Sequence, residues 1–148
     1  MDKTKRKSVS TNALLLAAIS LVIVVILQLL LLFKVHYGLY IVSIKGDSME
    51  PAYTSGDRCL VVTENFNVVR DDVVIVRKQD ITIIKRIYAL PNETVIVKQG
   101  KNTNNITLNS NQYYILGDNK AISHDSRSYG PIEKEQIIAK VILNIPTK

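Results

Sequence analysis

Residues Ala13 to Phe33 are an almost unbroken apolar run of Leu, Ile, Val and Ala, with Ser20 and Gln28 as its polar exceptions. At ~1.5 Å per residue, a helix over this run spans about 30 Å, the thickness of a bilayer core. Basic residues precede the run, so a cleaved leader is the competing reading. The run is longer than the roughly 7–15 apolar residues of a typical leader, and no Ala-x-Ala-like site follows it. A retained transmembrane helix over 13–33 is therefore expected. It separates a polar, disordered tail (1–12) from a domain of ordinary single-domain size (34–148). A lone Gln28 in such a helix reads as a helix–helix or interface contact.

The flanks orient the helix. Lys3, Lys5, Arg6 and Lys7 stand before it, whereas only Lys34, with His36, follows closely. Basic residues stay on the cytoplasmic side. The tail is thus expected in the cytoplasm and the domain outside, on a single-pass protein of the plasma membrane. The formal charge of +6 is concentrated around the anchor, and the chain beyond Tyr37 is close to neutral. The charge reports topology and gives no reason to expect nucleic-acid binding. Tyr37 and Tyr40 suit either the aromatic belt of the membrane interface or the core of a first strand.

Beyond the anchor, short β-type segments dominate, and no helical period of useful length appears. Strands are expected at Leu39–Ile44, Arg58–Val62, Thr94–Lys98, Ile106–Leu108, Tyr113–Leu116 and Ile137–Ile145. Val73–Arg77 and Ile81–Ile87 read as a hairpin around Lys78-Gln79-Asp80. Gly100 and the Asn-rich stretch 102–105 read as a turn, and Glu133–Gln136 as one helical turn. The expected fold is a compact antiparallel β-barrel or sandwich-like domain behind a membrane helix. The single Cys59 excludes an internal disulfide, and in Arg58-Cys59-Leu60-Val61-Val62 it reads as a small core residue. No spacing of Cys, His and carboxylates reads as a metal site.

Two residues point to chemistry. Ser48 lies in Gly46-Asp47-Ser48-Met49-Glu50-Pro51, where Gly46 and Pro51 bracket a turn able to present a hydroxyl and a backbone N–H. A serine hydroxyl is a poor nucleophile until a base takes its proton. Lysine can be that base when burial destabilises its ammonium form. In Ile81-Thr82-Ile83-Ile84-Lys85-Arg86-Ile87, strand alternation puts Lys85 in the apolar row with Ile81, Ile83 and Ile87. Lysine in such a row is uncommon unless paired or functional. A third segment, Gly117 to Gly130, is dense in small polar residues and reads as a loop held by Asx turns and an Asp125–Arg127 ion pair. His124 within it reads as solvated.

These blocks, in this order, resemble the bacterial type I signal peptidases, serine–lysine endopeptidases. The resemblance covers nearly the whole chain: the anchor, Gly46 to Pro51, Gly56-Asp57-Arg58, Lys85 to Pro91, and Gly117 to Gly130. It implies Ser48 as nucleophile and Lys85 as general base. Ser123 would position the lysine, and Asp125 with Arg127 would support the site. The Ser48 N–H would serve the oxyanion. Ile44, Met49 and Ile84 would wall small pockets for the residues before the cut. It further implies cleavage after an Ala-x-Ala-type end of a signal peptide, with preproteins, membrane lipid and the secretion machinery as partners and no cofactor.

Some members carry a serine two residues before the nucleophile. Gly46 stands there instead, as in Gram-positive members, leaving more of the oxyanion role to backbone N–H groups. Ala89-Leu90-Pro91-Asn92-Glu93 replaces the usual Gly-Leu-Pro-Gly-Asp, and Ala52 stands where threonine is common. Eukaryotic secretory-pathway relatives have histidine in place of Lys85, so the sequons at Asn92 and Asn105 read as accidental. Three rivals compete: a repressor-like serine–lysine protease, against which the anchor counts; a non-catalytic assembly chaperone, against which the intact Ser48 and Lys85 count; and an anchored binding domain.

Overall fold

The computed structural model describes residues 11–99 and 102–147. They fall into two units, one ending at His36 and one running from Tyr37 to the C-terminus. The first is formed by helix α1, Thr11–Tyr37, all but its last residue, and no residue of the helix is buried. At ~1.5 Å per residue it is about 40 Å long, and its length and mean hydropathy of 3.1 are those of a membrane-crossing helix. Thr11 and Asn12 already belong to it, whereas the sequence placed them in a disordered tail. The rest of that tail, 1–10, lies outside the described residues. Gly38, at φ +56°, stops the helix in the left-handed conformation that glycine adopts most readily.

The second unit is antiparallel β throughout. Its strands are β1 (Leu39–Ser43), β2 (Arg58–Val62), β3 (Val73–Lys78), β4 (Ile81–Ala89), β5 (Thr94–Gln99), β6 (Asn102–Thr107), β7 (Gln112–Leu116), β8 (Ile132–Glu133) and β9 (Ile137–Ile145). Seven of them form one sheet in the order β1-β2-β9-β3-β4-β7-β8, while β5 and β6 pair separately. The sheet's end strands, β1 and β8, do not pair, so the described residues form no closed barrel.

Several expectations hold nearly to the residue, among them the hairpin of β3 and β4, whose turn residue Gln79 takes φ +53°. The Asn-rich stretch does not turn. Asn102 to Asn105 lie in β6, each opposite a β5 residue, from Gln99 to Ile96. Ladder pairing overrides the weak strand preference of asparagine. The expected turn residue Gly100 lies outside the described residues. Glu133–Gln136 becomes a 3₁₀ turn, Lys134–Gln136, and a four-residue helix α2 occupies Ser126–Tyr129.

The sheet is covered on both faces, which explains why β3 reads Val73-Val74-Ile75-Val76 without alternation. Val73 and Ile75 pack with Ile44, Met49, Cys59, Val61 and Ile84. Val74 and Val76 pack with Ile87, Ile115 and Ile132. A third cluster, including Val95, Val97, Leu108 and Tyr114, lies beneath the β5–β6 hairpin. Cys59 is fully buried, its thiol directed at Asn144 Oδ1, and burial pushes the thiol up. It is the core residue expected. Tyr40 is exposed, which removes the strand-core alternative for that residue.

Candidate active site

Ser48 is presented by a tight turn between β1 and β2. Gly46 takes φ +83°, and the turn closes with Glu50 N–H donating to the Asp47 carbonyl and Tyr53 N–H to the Met49 carbonyl. Glu50–Pro51 is cis. Met49 is fully buried in the first core cluster. It pins the turn from below, leaving the neighbouring Ser48 half-exposed. Two bonds hold the turn to the Gly117 loop: Asn119 N–H to the Ser48 carbonyl at 3.1 Å, and Asn119 Nδ2 to the Asp47 carbonyl at 3.2 Å. Among the described residues the Ser48 N–H donates to nothing.

Lys85 is delivered by β4, where it lies opposite Val74 of β3. Ile83 and Ile87, its neighbours in the row, belong to the second cluster. Its residue exposure is 3%. The amine donates to Ser48 Oγ at 2.7 Å and to the Ile84 carbonyl at 2.9 Å. Burial lowers the lysine's pKa from its ordinary 10.5, and the charges of Asp125 and Asp118 counter part of that shift. A hydroxyl and an amine at this distance, with the amine tipped toward its neutral form, can exchange a proton.

The segment 117–130 is locked behind them. The Asp125 carboxylate is wholly buried. It accepts from Arg127 Nε at 2.8 Å, Arg127 Nη2 at 2.6 Å and the Gly117 N–H at 2.9 Å. Burial pushes its carboxyl up, but the Arg127 and Gly117 bonds outweigh this and hold it down to about 2. The next residue, Ser126, accepts from the Ile115 N–H at 3.0 Å. Asp125 and Arg127 thus form the ion pair expected of them.

Ser123 is placed differently from its expected role. Its hydroxyl is buried and makes no bond to Lys85, whose amine reaches only Ser48 Oγ and the Ile84 carbonyl. It stands instead near the Asp125 carboxylate, which it helps to hold down, short of a well-aligned hydrogen bond. The hydroxyl sits against Gly117, where a Cβ would fall 2.1 Å from Ser123 Oγ and 2.5 Å from the Ser48 carbonyl oxygen. Only a residue without a side chain lets the loop and the serine turn close together.

Of the expected pocket residues, Ile44 and Ile84 line a cleft of about 290 Å³ that opens beside Ser48 and Lys85. Val42, Ile75 and Ile83 complete its apolar wall. Met49 does not line it, being beneath the turn. A roomier hollow of about 540 Å³ at Arg70, Tyr88 and Glu93 shares no lining residue with this cleft.

Sequence reading missed Gly117, Asn119 and the Arg86–Asp118 pair. Arg86 Nε and Nη2 reach Asp118 Oδ1 and Oδ2 at 2.8 and 2.6 Å. The signal was present: Arg86 adjoins Lys85, and Asp118 opens the polar loop. The opposite registers that join β4 to β7 (Arg86 beside Leu116) become visible only in the sheet.

Two family profiles match the chain between residues 24 and 145. The profile of a family described as peptidase S24-like matches residues 24–120. That of the signal peptidases, peptidase S26, matches residues 98–145. The chain is 31% identical to mitochondrial inner membrane protease subunit 1 of Schizosaccharomyces pombe, over 76% of this chain and 77% of that one. It is 25% identical to signal peptidase I V of Bacillus subtilis, over 66% and 80%. With signal peptidase IB of Staphylococcus aureus it shares 29% identity, over 67% and 73%.

Proposed function

The chain belongs to the type I signal peptidase family, and from that premise we propose that it is a membrane-anchored serine endopeptidase removing signal peptides from exported preproteins. The observation that carries this reading is the 2.7 Å contact between Lys85 Nζ and Ser48 Oγ at a buried lysine.

The substrate lies extended along the cleft, pairing with strand backbone as an added strand does. Ile44, Ile84 and their apolar neighbours accept small side chains before the cut, which gives Ala-x-Ala-type specificity. Neutral Lys85 takes the Ser48 proton as Oγ attacks the scissile carbonyl. The Ser48 N–H stabilises the oxyanion. The ammonium of Lys85 then protonates the departing amine, and a water activated by the same lysine releases the acyl group from Ser48. A charged lysine has three donors; two are used, and Ser123 takes the third as the amine is protonated. Asp125 and Arg127 hold the loop that carries Ser123. No cofactor enters these steps.

The protein is a single-pass protein of the plasma membrane, with residues 1–12 cytoplasmic and 34–148 outside. Helix α1 and the basic residues before it support this arrangement. Preproteins and membrane lipid are its partners, with the secretion machinery upstream.

The test is cleavage of a preprotein bearing an Ala-x-Ala site by the full-length chain in detergent, with product masses read out. One cut after the second alanine, absent with Ser48→Ala, is expected. Cleavage surviving in Ser48→Ala would overturn the assignment, as would no cleavage by folded wild-type protein.

A further inference from the structure

Two adjoining cavities, each of about 260 Å³, lie on the loop side of Ser48. The nearer includes Gly117, the residue packed on the Ser48 carbonyl, together with Asp118, Arg86 and Asp71. The farther is lined by Tyr88, Ile96, Tyr114, Leu116, Lys120 and Arg127, among others. Tyr88, Leu116 and Lys120 line both. The apolar cleft of Ile44 and Ile84 shares no residue with either. Ser48 itself lines the apolar cleft, which the peptidase reading gives to the residues before the cut, and only Gly117 connects it to the second pair of hollows.

The charges differ along this path. In the nearer cavity Arg86 is neutralised by Asp118, and Asp71 adds a carboxylate. The farther cavity has no carboxylate among its lining residues. Arg127 is balanced from behind by Asp125. Lys120 is exposed, and among the described residues its amine has no ion pair or hydrogen bond. Tyr114, only 1% exposed, keeps a buried hydroxyl with no partner among the described residues, while its ring meets Tyr88 edge-on at 6.1 Å. An uncommitted cation, an orphaned donor and an aromatic wall make a place for a carboxylate on a short stem.

The distance identifies the occupant. Asn119 bonds the Ser48 carbonyl, and Lys120 is the next residue. At ~3.3 Å per extended residue, the second to fourth residues after the cut span about 7–13 Å. The Asn119 N–H is 3.1 Å from the Ser48 carbonyl, and one further Cα–Cα step of ~3.8 Å brings the chain to Lys120, so its side chain falls within that span. We propose that the cavity at Lys120, Tyr88 and Tyr114 reads the first residues of the mature protein, favouring an acidic side chain at the second to fourth position after the cut. The inference rests on the peptidase reading above and adds a specificity site to it.

Three substrates test it, identical through an Ala-x-Ala site and carrying alanine, aspartate or lysine at those three positions. Full-length wild-type protein and Lys120→Glu are assayed in detergent at low salt. Attraction replaced by repulsion at a partly exposed site is expected to give the acidic substrate about five- to tenfold higher kcat/KM than the basic one. Lys120→Glu should reverse that ratio, and 1 M salt should bring it near one. Equal cleavage of the acidic and basic substrates by wild type would overturn the inference while leaving the peptidase reading intact. An unchanged ratio in Lys120→Glu would do the same, including when all rates fall together. Failure to cut even the alanine substrate would overturn the reading and the inference with it.

Discussion

At the scale of the residue, the proposed chemistry depends on a lysine kept where its charge is unwelcome. Lys85 is buried, its ordinary pKa of 10.5 lowered by desolvation. Lys85→Ala should reduce kcat by at least ~100-fold, the usual size of a general-base contribution, measured on the Ala-x-Ala preprotein. The same burial costs stability. A lysine with a depressed folded pKa favours the fold most fully above 10.5, and that contribution is lost as pH falls toward the folded value, because the unfolded chain takes up the proton first. Lys85→Met should therefore be inactive yet melt higher than wild type at neutral pH; a lower melting temperature would mean that the amine's two hydrogen bonds outweigh its desolvation. Asp125 has the opposite sign of usefulness. Its carboxyl, held down to about 2 from 3.8, contributes stability above pH 3.8 that is lost as pH falls through 2. The shift is worth about 2 kcal/mol. Asp125→Asn should lower neutral-pH stability by that order and flatten the acid limb of a denaturant-midpoint series between pH 5 and 2.

Among the elements, the site is a meeting of one turn, one strand and one loop. β4 carries Lys85, the Gly46–Pro51 turn carries Ser48, and the segment 117–130 closes behind both. Gly117 sets how near the loop can come. A methyl there would collide with Ser123 Oγ and the Ser48 carbonyl, so Gly117→Ala should keep the fold by circular dichroism but lower kcat by about 100-fold through misplacement of the serine. Much of this was legible in the chain. Period-two alternation put Lys85 in an apolar row, and burial follows from that row. The ion pair of Asp125 and Arg127 was legible too, because its partners are two residues apart. Arg86–Asp118 and Asn119–Asp47 were not, since each depends on strand order rather than on local spacing. The asparagines of β6 misled because their pairing with β5 outweighs intrinsic preference. Ser123 was given its role by resemblance, and its hydroxyl here lacks the expected bond.

For the whole molecule, one apolar helix and one open antiparallel sheet divide the work between location and chemistry. α1 has the length and hydropathy to cross a bilayer, and basic residues precede it. With the chain expressed in a bacterium, protease added outside spheroplasts should digest the β domain; protection of that domain until lysis would reverse the proposed orientation. The covered faces of the sheet hold Lys85 in apolar surroundings, so the pH dependence expected of the proposed catalysis is a property of the fold as much as of one side chain. The most direct test of the central claim, that buried Lys85 activates Ser48, is kcat/KM against pH for the full-length protein on an Ala-x-Ala preprotein. The account predicts a rate that rises with pH on a single ionisation clearly below 10.5, with that limb gone in the residual activity of Lys85→Ala. A limb that persists unchanged in Lys85→Ala would contradict it.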